Sequence, residues 1–412
     1  GLENISTWDK SYADTNADKI PDLVTRTSSL NGKSAVVIND HLQSMVTKTS
    51  PAGRTTRLHY NPATLLTESV HTEGLLDADY LYDENGRLTS VTNGNRETLY
   101  TYNDQGLLAS INPAGGAPTT FFYDTMGRPI GIEQSNSSSI EFAYDDNGNL
   151  VRLSTPSNVV HEFSFNTVNL KTGYQTPLSG NYQHRYDRDR RLMEMVFPSG
   201  KRSNYFYEAD RLTHIQTAEK DIDISYACAS KIDFIGDGFN AIEYAYDGKL
   251  PTAETLNGTL NASIEWQYNG DYLPDRVTYA GEATELAYDL DGLLSSAGRY
   301  TIIRNDANGL PESVVDDVLT LDRGFNGYGE IADQSFVVAT QEAFSWQLDR
   351  DARGRIVKKT ETLNNVISEF EYQYDTMGRL LTVFENKFLK EEYQYDANGS
   401  RIFETNSYRG IE

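Results

Sequence analysis

Tyr82-Asp83-Glu84-Asn85-Gly86-Arg87-Leu88 is followed by Tyr102-Asn103-Asp104-Gln105-Gly106-Leu107-Leu108 and then by Tyr123-Asp124-Thr125-Met126-Gly127-Arg128-Pro129. The shared phrase is Y-D-x-x-G-x-L. It returns at Tyr144-Asp145 with Gly148, Tyr288-Asp289 with Gly292, Tyr374-Asp375 with Gly378, and Tyr395-Asp396 with Gly399. Degenerate copies fall at Tyr60, Phe165, Tyr186, Tyr207, Tyr246, Tyr268, Phe325 and Arg350. From Tyr82 to Tyr207 the step is 20 or 21 residues, a fixed period that marks a repeat architecture. A chain of 412 residues built this way is not divided by the usual length-per-domain rule.

Asp caps a turn through its own side chain, and Gly supplies the positive φ that a type I turn with a bulge requires. Each copy therefore reads as a hairpin turn, with Tyr closing one strand and Leu opening the next. The flanks, Thr119-Thr120-Phe121-Phe122-Tyr123 and Leu88-Thr89-Ser90-Val91-Thr92, are rich in β-branched and aromatic residues. A second turn falls mid-period, as at Asn93-Gly94-Asn95. Two strands of about six residues and two turns of about four fill one period. Some eighteen such units predict about 36 strands, and open sheets of more than about ten strands curl or split. The fold class is all-β: tandem antiparallel β-hairpin repeats of about 21 residues in a curved sheet. A propeller, at about 40 residues per blade, is the rival arrangement.

The phrase resembles the signature of the YD-repeat, or Rhs-repeat, family, which includes Rhs polymorphic toxins, toxin-complex shell proteins and teneurins. The resemblance covers residues 46–412, taken as one domain, with residues 1–45 as a lead-in segment. It implies that the hairpins wind into a spiral, hollow β-sheet shell. It implies as partners other segments of a larger Rhs-type protein or an encapsulated C-terminal domain, and a secreted or cell-surface location in bacteria. The family's self-cleaving aspartyl site carries an Asp-Pro motif, and no Asp-Pro dipeptide occurs here. Self-cleavage is not carried over. The start at Gly1, without Met or a signal-peptide pattern, reads as a processed or excised piece.

Within the lead-in, Asp14, Asn16, Asp18, the Ile20 carbonyl and Asp22 fall at positions where alternate oxygens on a tight loop converge on one hard cation, Ca2+ by preference. The stretch is similar to the calcium loops of FG-GAP/VCBS repeats. Lys19 departs from that pattern, and an Asx-turn loop without an ion is the competing reading. Val36-Val37-Ile38 is the strand expected to follow.

With 36 Lys+Arg against 60 Asp+Glu, the net charge of −24 argues against nucleic-acid binding and against anionic membranes. No apolar run reaches the roughly 18 residues of a membrane span, so membrane insertion is not expected. One cysteine, Cys228, makes no internal disulfide and reads as a buried thiol. Tyr, at 27, outnumbers Phe and Trp together, so the apolar content is amphipathic.

The six histidines show no metal-ligand spacing, and no nucleophile elbow or phosphate loop is present, so no catalytic residue is assigned. His184 with Tyr182 or Tyr186 is the pair a glycan-degrading enzyme would use. The cluster His184-Arg185-Tyr186-Asp187-Arg188-Asp189-Arg190-Arg191 reads either as a cross-strand ion-pair ladder or as a contact for an anionic glycan or partner. Sequons at Asn136, Asn257 and Asn261 matter only in a glycosylating host. Two functions fit the tyrosine rows: an encapsulating shell without catalysis, and a carbohydrate-binding surface module.

Overall fold

The computed structural model describes residues 6–16, 21–134, 138–178, 180–227 and 231–406. Cys228 and Asn136 lie outside them. Among the described residues there are thirty-eight β-strands, from Ser6–Ala13 to Arg401–Asn406, and no helix. The chain forms two compact units: Gly1–Phe121 with Gln134–Ser137 and Glu285–Glu412, and Phe122–Glu133 with Ser138–Thr284.

In each unit, strands next to each other in sequence pair antiparallel. Ser6–Ala13 pairs with Leu23–Leu30, which pairs with Lys33–Asp40, then Met45–Thr49 and Thr55–Tyr60. The strand expected around Val36-Val37-Ile38 is thus present as Lys33–Asp40, and the lead-in strands pair directly with the first hairpins. In the second unit the ladder runs from Ser138–Tyr144 through Pro274–Tyr279 in the same manner.

The turn chemistry read from Asp-x-x-Gly is the turn chemistry observed. The Gly86 N–H donates to the Asp83 carbonyl at 2.9 Å and Gly86 has φ +76°. Asp83 Oδ1 accepts from the Asn85 and Arg87 N–H groups, both at 2.9 Å. The pairing register shifts between Leu81 and Tyr82, as a bulge demands. Some mid-period turns are two-residue loops with positive φ at both positions, as at Asn364 (+49°) and Asn365 (+65°), the geometry that matches strand twist.

Strand alternation sorts the tyrosines. In Ala78–Tyr82, Tyr80 and Tyr82 are half-buried while Leu81 is 62% exposed; Tyr205 and Tyr207 flank an exposed Phe206, and Tyr244 and Tyr246 flank an exposed Ala245. One face carries the Tyr-x-Tyr rows, the other is open to solvent. Among the described residues no second layer covers either: the most buried apolar side chains are Val383 and Tyr393, at 7% and 9% exposure, and none is fully enclosed. The accessible surface is 25410 Å², where a globule of this mass would show about 16,000 Å². A face half-buried without a covering layer is shielded by its own neighbouring side chains. Stability must then come from ladders, cross-strand pairs and turns rather than from a core.

The glycines of these turns are held at φ +80° (Gly127) and +88° (Gly378). Gly127→Val and Gly378→Val should each lower stability by more than about 1 kcal/mol. Denaturant midpoints unchanged in both variants would contradict the turn assignment.

Candidate functional site

The edge of the sheet formed by the Y-D turns is a repeated bonding pattern. The hydroxyl of Tyr82 donates to the Thr67 carbonyl at 2.8 Å, Tyr102 to Leu88 at 2.8 Å, Tyr207 to Leu192 at 3.0 Å and Tyr395 to Leu380 at 2.8 Å. In each case the acceptor is the residue that opens the strand after the preceding turn. The arginine following the glycine works on both sides. Arg87 pairs with Asp83 of its own turn at 2.6 Å, and its guanidinium lies 4.5 Å from the Tyr102 ring centre of the next repeat. The same double contact is made by Arg128 with Asp124 and Tyr144, Arg191 with Asp187 and Tyr207, Arg355 with Asp351 and Tyr374, and Arg379 with Asp375 and Tyr395. Donation from the Arg87 side chain, then from its backbone N–H, holds the Asp83 carboxyl below the usual range.

Sequence reasoning counted Tyr and Asp and left this arginine as an unspecified position; its recurrence at residues 87, 128, 355 and 379 was the available signal. Two copies were also missed. Tyr226 lacks the following Asp but donates to the Leu212 carbonyl at 2.8 Å. Arg304 stands where Tyr is expected, and its Nε donates to the Leu294 carbonyl at 3.0 Å. Arg350 does the same to Ile331 at 3.1 Å. The position requires a long side chain ending in a donor, and either residue supplies one.

Within the first unit, two stretches far apart in sequence meet edge to edge. Mid-period turns of residues 50–116 lie against Y-D turns of residues 289–354. Arg54 forks onto Asp289 at 2.8 Å and Asp291 at 2.5 Å, with all three side chains largely buried. The Ala52 N–H and the Ser50 hydroxyl donate to the same Asp291, each at 2.8 Å. The Leu76 N–H donates to the Gly327 carbonyl at 2.7 Å, and a Cβ on Gly327 would stand 2.8 Å from Leu76 Cγ. Arg96 binds both oxygens of Glu330, at 2.8 and 3.0 Å, and stacks 3.6 Å from the Tyr328 ring centre. Tyr328 in turn donates to Asn95 at 2.5 Å. Three turns on this seam depart from the repeat: Leu293, Leu310 and Glu330 replace the internal arginine, so Asp289 is open to Arg54.

In the second unit an aromatic ladder crosses the half-buried face. His161 and Tyr174 stack at 5.9 Å between ring centres, Phe163 and Tyr174 at 5.1 Å, and Tyr174 and Tyr182 at 5.8 Å. The basic cluster contains the cross-strand ladder: Glu194 accepts from Arg185 at 3.3 Å and from Arg202 at 2.5 Å. His184 lies on the same face as Tyr182 and Tyr186, and burial, then Lys171, pushes its imidazole below its ordinary range.

Of the lead-in oxygens, Asp22 is buried, and its Oδ2 accepts from the Thr15 N–H at 2.7 Å, the Thr15 hydroxyl at 2.8 Å and the Asn16 N–H at 3.2 Å. Asp14 and Asn16 are also engaged, and Asp18 and Ile20 lie outside the described residues. Among the described residues no three His, Cys, Asp or Glu side chains converge.

Hairpins, an edge lattice of Tyr, Asp and Arg, and a sheet without a core define a repeat wall. The family described as Teneurin YD-shell matches residues 9–411, and the chain belongs to it. It is 26% identical to mouse Teneurin-1 over 234 residues, 52% of this chain and 8% of that protein. It is 21% identical to mouse Teneurin-3 over 346 residues, 79% of this chain and 13% of that protein. The TcdB2-TccC3-Cdc42 crystal structure matches with a TM-score of 0.73 at 12% identity, over 95% of this chain and 27% of that one. TcdB2-TccC3-TEV matches at 0.60 and 11%, over 94% and 24%. The chain thus spans a small part of the proteins it matches. No helix among the described residues is long and apolar enough to cross a membrane.

The Arg96 side chain holds Glu330 at about 2, below its ordinary 4.5, despite the opposing effect of burial. A carboxyl whose folded value is depressed stabilises fully above 4.5 and loses that contribution as pH falls toward 2. Glu330→Gln should therefore be less stable than the parent at pH 7 by about 1–2 kcal/mol. The gap should narrow through that acid range, as followed by denaturation at stepped pH.

Proposed function

We propose that this chain is a wall section of a larger, secreted or cell-surface YD-repeat protein of Rhs type, and that the wall encloses another segment of that protein rather than performing catalysis. A toxin-delivery or contact-dependent system is the setting that suits such a container. The observation that carries the reading is the seam. A binding platform needs only a face, whereas Arg54, Leu76 and Arg96 close one sheet edge against another with ion pairs, a backbone hydrogen bond and an inserted leucine. Sealing edges is what a sheet must do to separate an inside from an outside.

In the parent protein, limited proteolysis should leave the enclosed segment intact well after exposed loops are cut. Arg54→Ala combined with Arg96→Ala should shorten that protection by about tenfold, since it leaves Asp289 and Asp291 without their cation and Glu330 with Arg350 alone. Cleavage of the enclosed segment in the unaltered parent as fast as in the isolated segment would reject the proposal.

We also propose that the loop at Asp14, Asn16, Asp18, Ile20 and Asp22 takes Ca2+. Support comes from the spacing of its oxygen-bearing residues. Calorimetric titration of the chain with calcium should give a binding signal that Asp14→Ala with Asp18→Ala removes. An equal signal in that variant rules the site out.

A further inference from the structure

A concavity of about 490 Å³ opens between the turn of residues 166–170 and the next, of residues 186–191, in the second unit. Its size falls among small-ligand sites, about 300–1,000 Å³. The turn above it lacks the fastening arginine. Where an arginine follows the glycine position it covers the next tyrosine, as Arg87 covers Tyr102. Here that position is Leu170, and among the described residues no cation lies over Tyr186. The Tyr186 hydroxyl is fixed to the Lys171 carbonyl at 2.8 Å, so the ring is anchored while its surroundings are apolar, from Val168 and Leu170.

The charge of the site follows from a second irregularity. Residues 184–191 hold four arginines and two aspartates. Arg191 takes both acids, Asp187 at 2.7 Å and Asp189 at 3.3 Å, and Asp210 as well at 2.9 Å. Arg188 and Arg190 are left lining the concavity with no ion-pair partner among the described residues, and Arg185 reaches only Glu194. In a chain of net charge −24 this is a local positive surplus. His184 also lines the site, and its Nδ1 is buried with no hydrogen-bond partner among the described residues. A buried nitrogen of this kind is costly unless something bonds it.

An anchored aromatic ring beside aliphatic side chains suits the C–H face of a sugar, and paired guanidinium groups suit a carboxylate. We propose that this concavity binds an acidic saccharide, one carrying a carboxylate, with Arg188 and Arg190 on the carboxylate and Tyr186 under the ring. The site is independent of the seam and of what the wall encloses.

Calorimetric titration of the full chain at fixed ionic strength tests it with a glucuronate-containing disaccharide, a neutral glucose disaccharide, and acetate. The uronate disaccharide should bind, and the other two should bind at least about tenfold more weakly. Arg188→Ala with Arg190→Ala should cost about tenfold in affinity at unchanged melting temperature. Leu170→Arg, which restores the missing cover, should abolish binding. Arg26→Ala with Arg152→Ala, equal in charge and away from the site, should leave binding as it was. Acetate binding as tightly as the uronate disaccharide, no heat from that disaccharide, or undiminished binding in the Arg188/Arg190 variant would each overturn the assignment.

Discussion

A tyrosine hydroxyl bonded to a main-chain carbonyl of the preceding repeat is the interaction on which the rest of this structure leans. A sheet one layer thick has no core to fix the spacing of its hairpins, and ladder hydrogen bonds alone tolerate slippage. Tyr102 reaching the Leu88 carbonyl fixes one turn against the one before it. The hydroxyl is satisfied and the ring is shielded. Arg87 then acts as a second fastener, neutralised by Asp83 and laid over the same ring. Because the acceptor is backbone, the device can be repeated with any side chain at the acceptor position, as Thr67, Leu88 and Lys171 illustrate.

The seam uses the same parts rearranged. At two turns that face the other edge of sheet the internal arginine is missing and the cation comes from across the gap: Arg54 onto Asp289, Arg96 onto Glu330. The ion pairs there are largely shielded from water, so losing one partner leaves a poorly solvated charge, a heavier penalty than at an exposed surface pair. Gly327 and Leu76 add close packing that a charge pair alone lacks. The seam is therefore specific in two ways, by sign and by shape.

The fold was legible because turn chemistry is local. Asp83 and Gly86 announce their geometry within five residues, and period times strand spacing does the rest. The alternation of Tyr80 and Tyr82 around Leu81 was also visible, and the shared half-buried face follows from it. What could not be read was anything whose partner has no side-chain signature or lies a course away. The hydroxyl of Tyr82 targets a carbonyl, which every residue has. Arg304 performs the task of a tyrosine, so a search for Tyr passes over it. Arg54 and Asp289 come together only through the path of the intervening chain, which no local pattern encodes. The arginines of residues 185–191 were legible as a cluster, but which of them would be consumed by Asp187 and Asp189 depended on geometry.

Repeat arrays are usually free to gain or lose whole units, because each unit recognises only its neighbours. The seam removes that freedom over part of this chain. Turns at residues 54, 74, 94 and 115 advance along one edge in step with turns at residues 291, 308, 328 and 352 on the other, like the two scales of a vernier. Deleting a single hairpin between residues 54 and 96 would leave every turn intact and every ladder able to re-form, yet would slide Arg96 away from Glu330 and bring unlike seats together. A perfectly folded hairpin count could thus be a wrong one, and the number of repeats along this edge is fixed by matching across the gap.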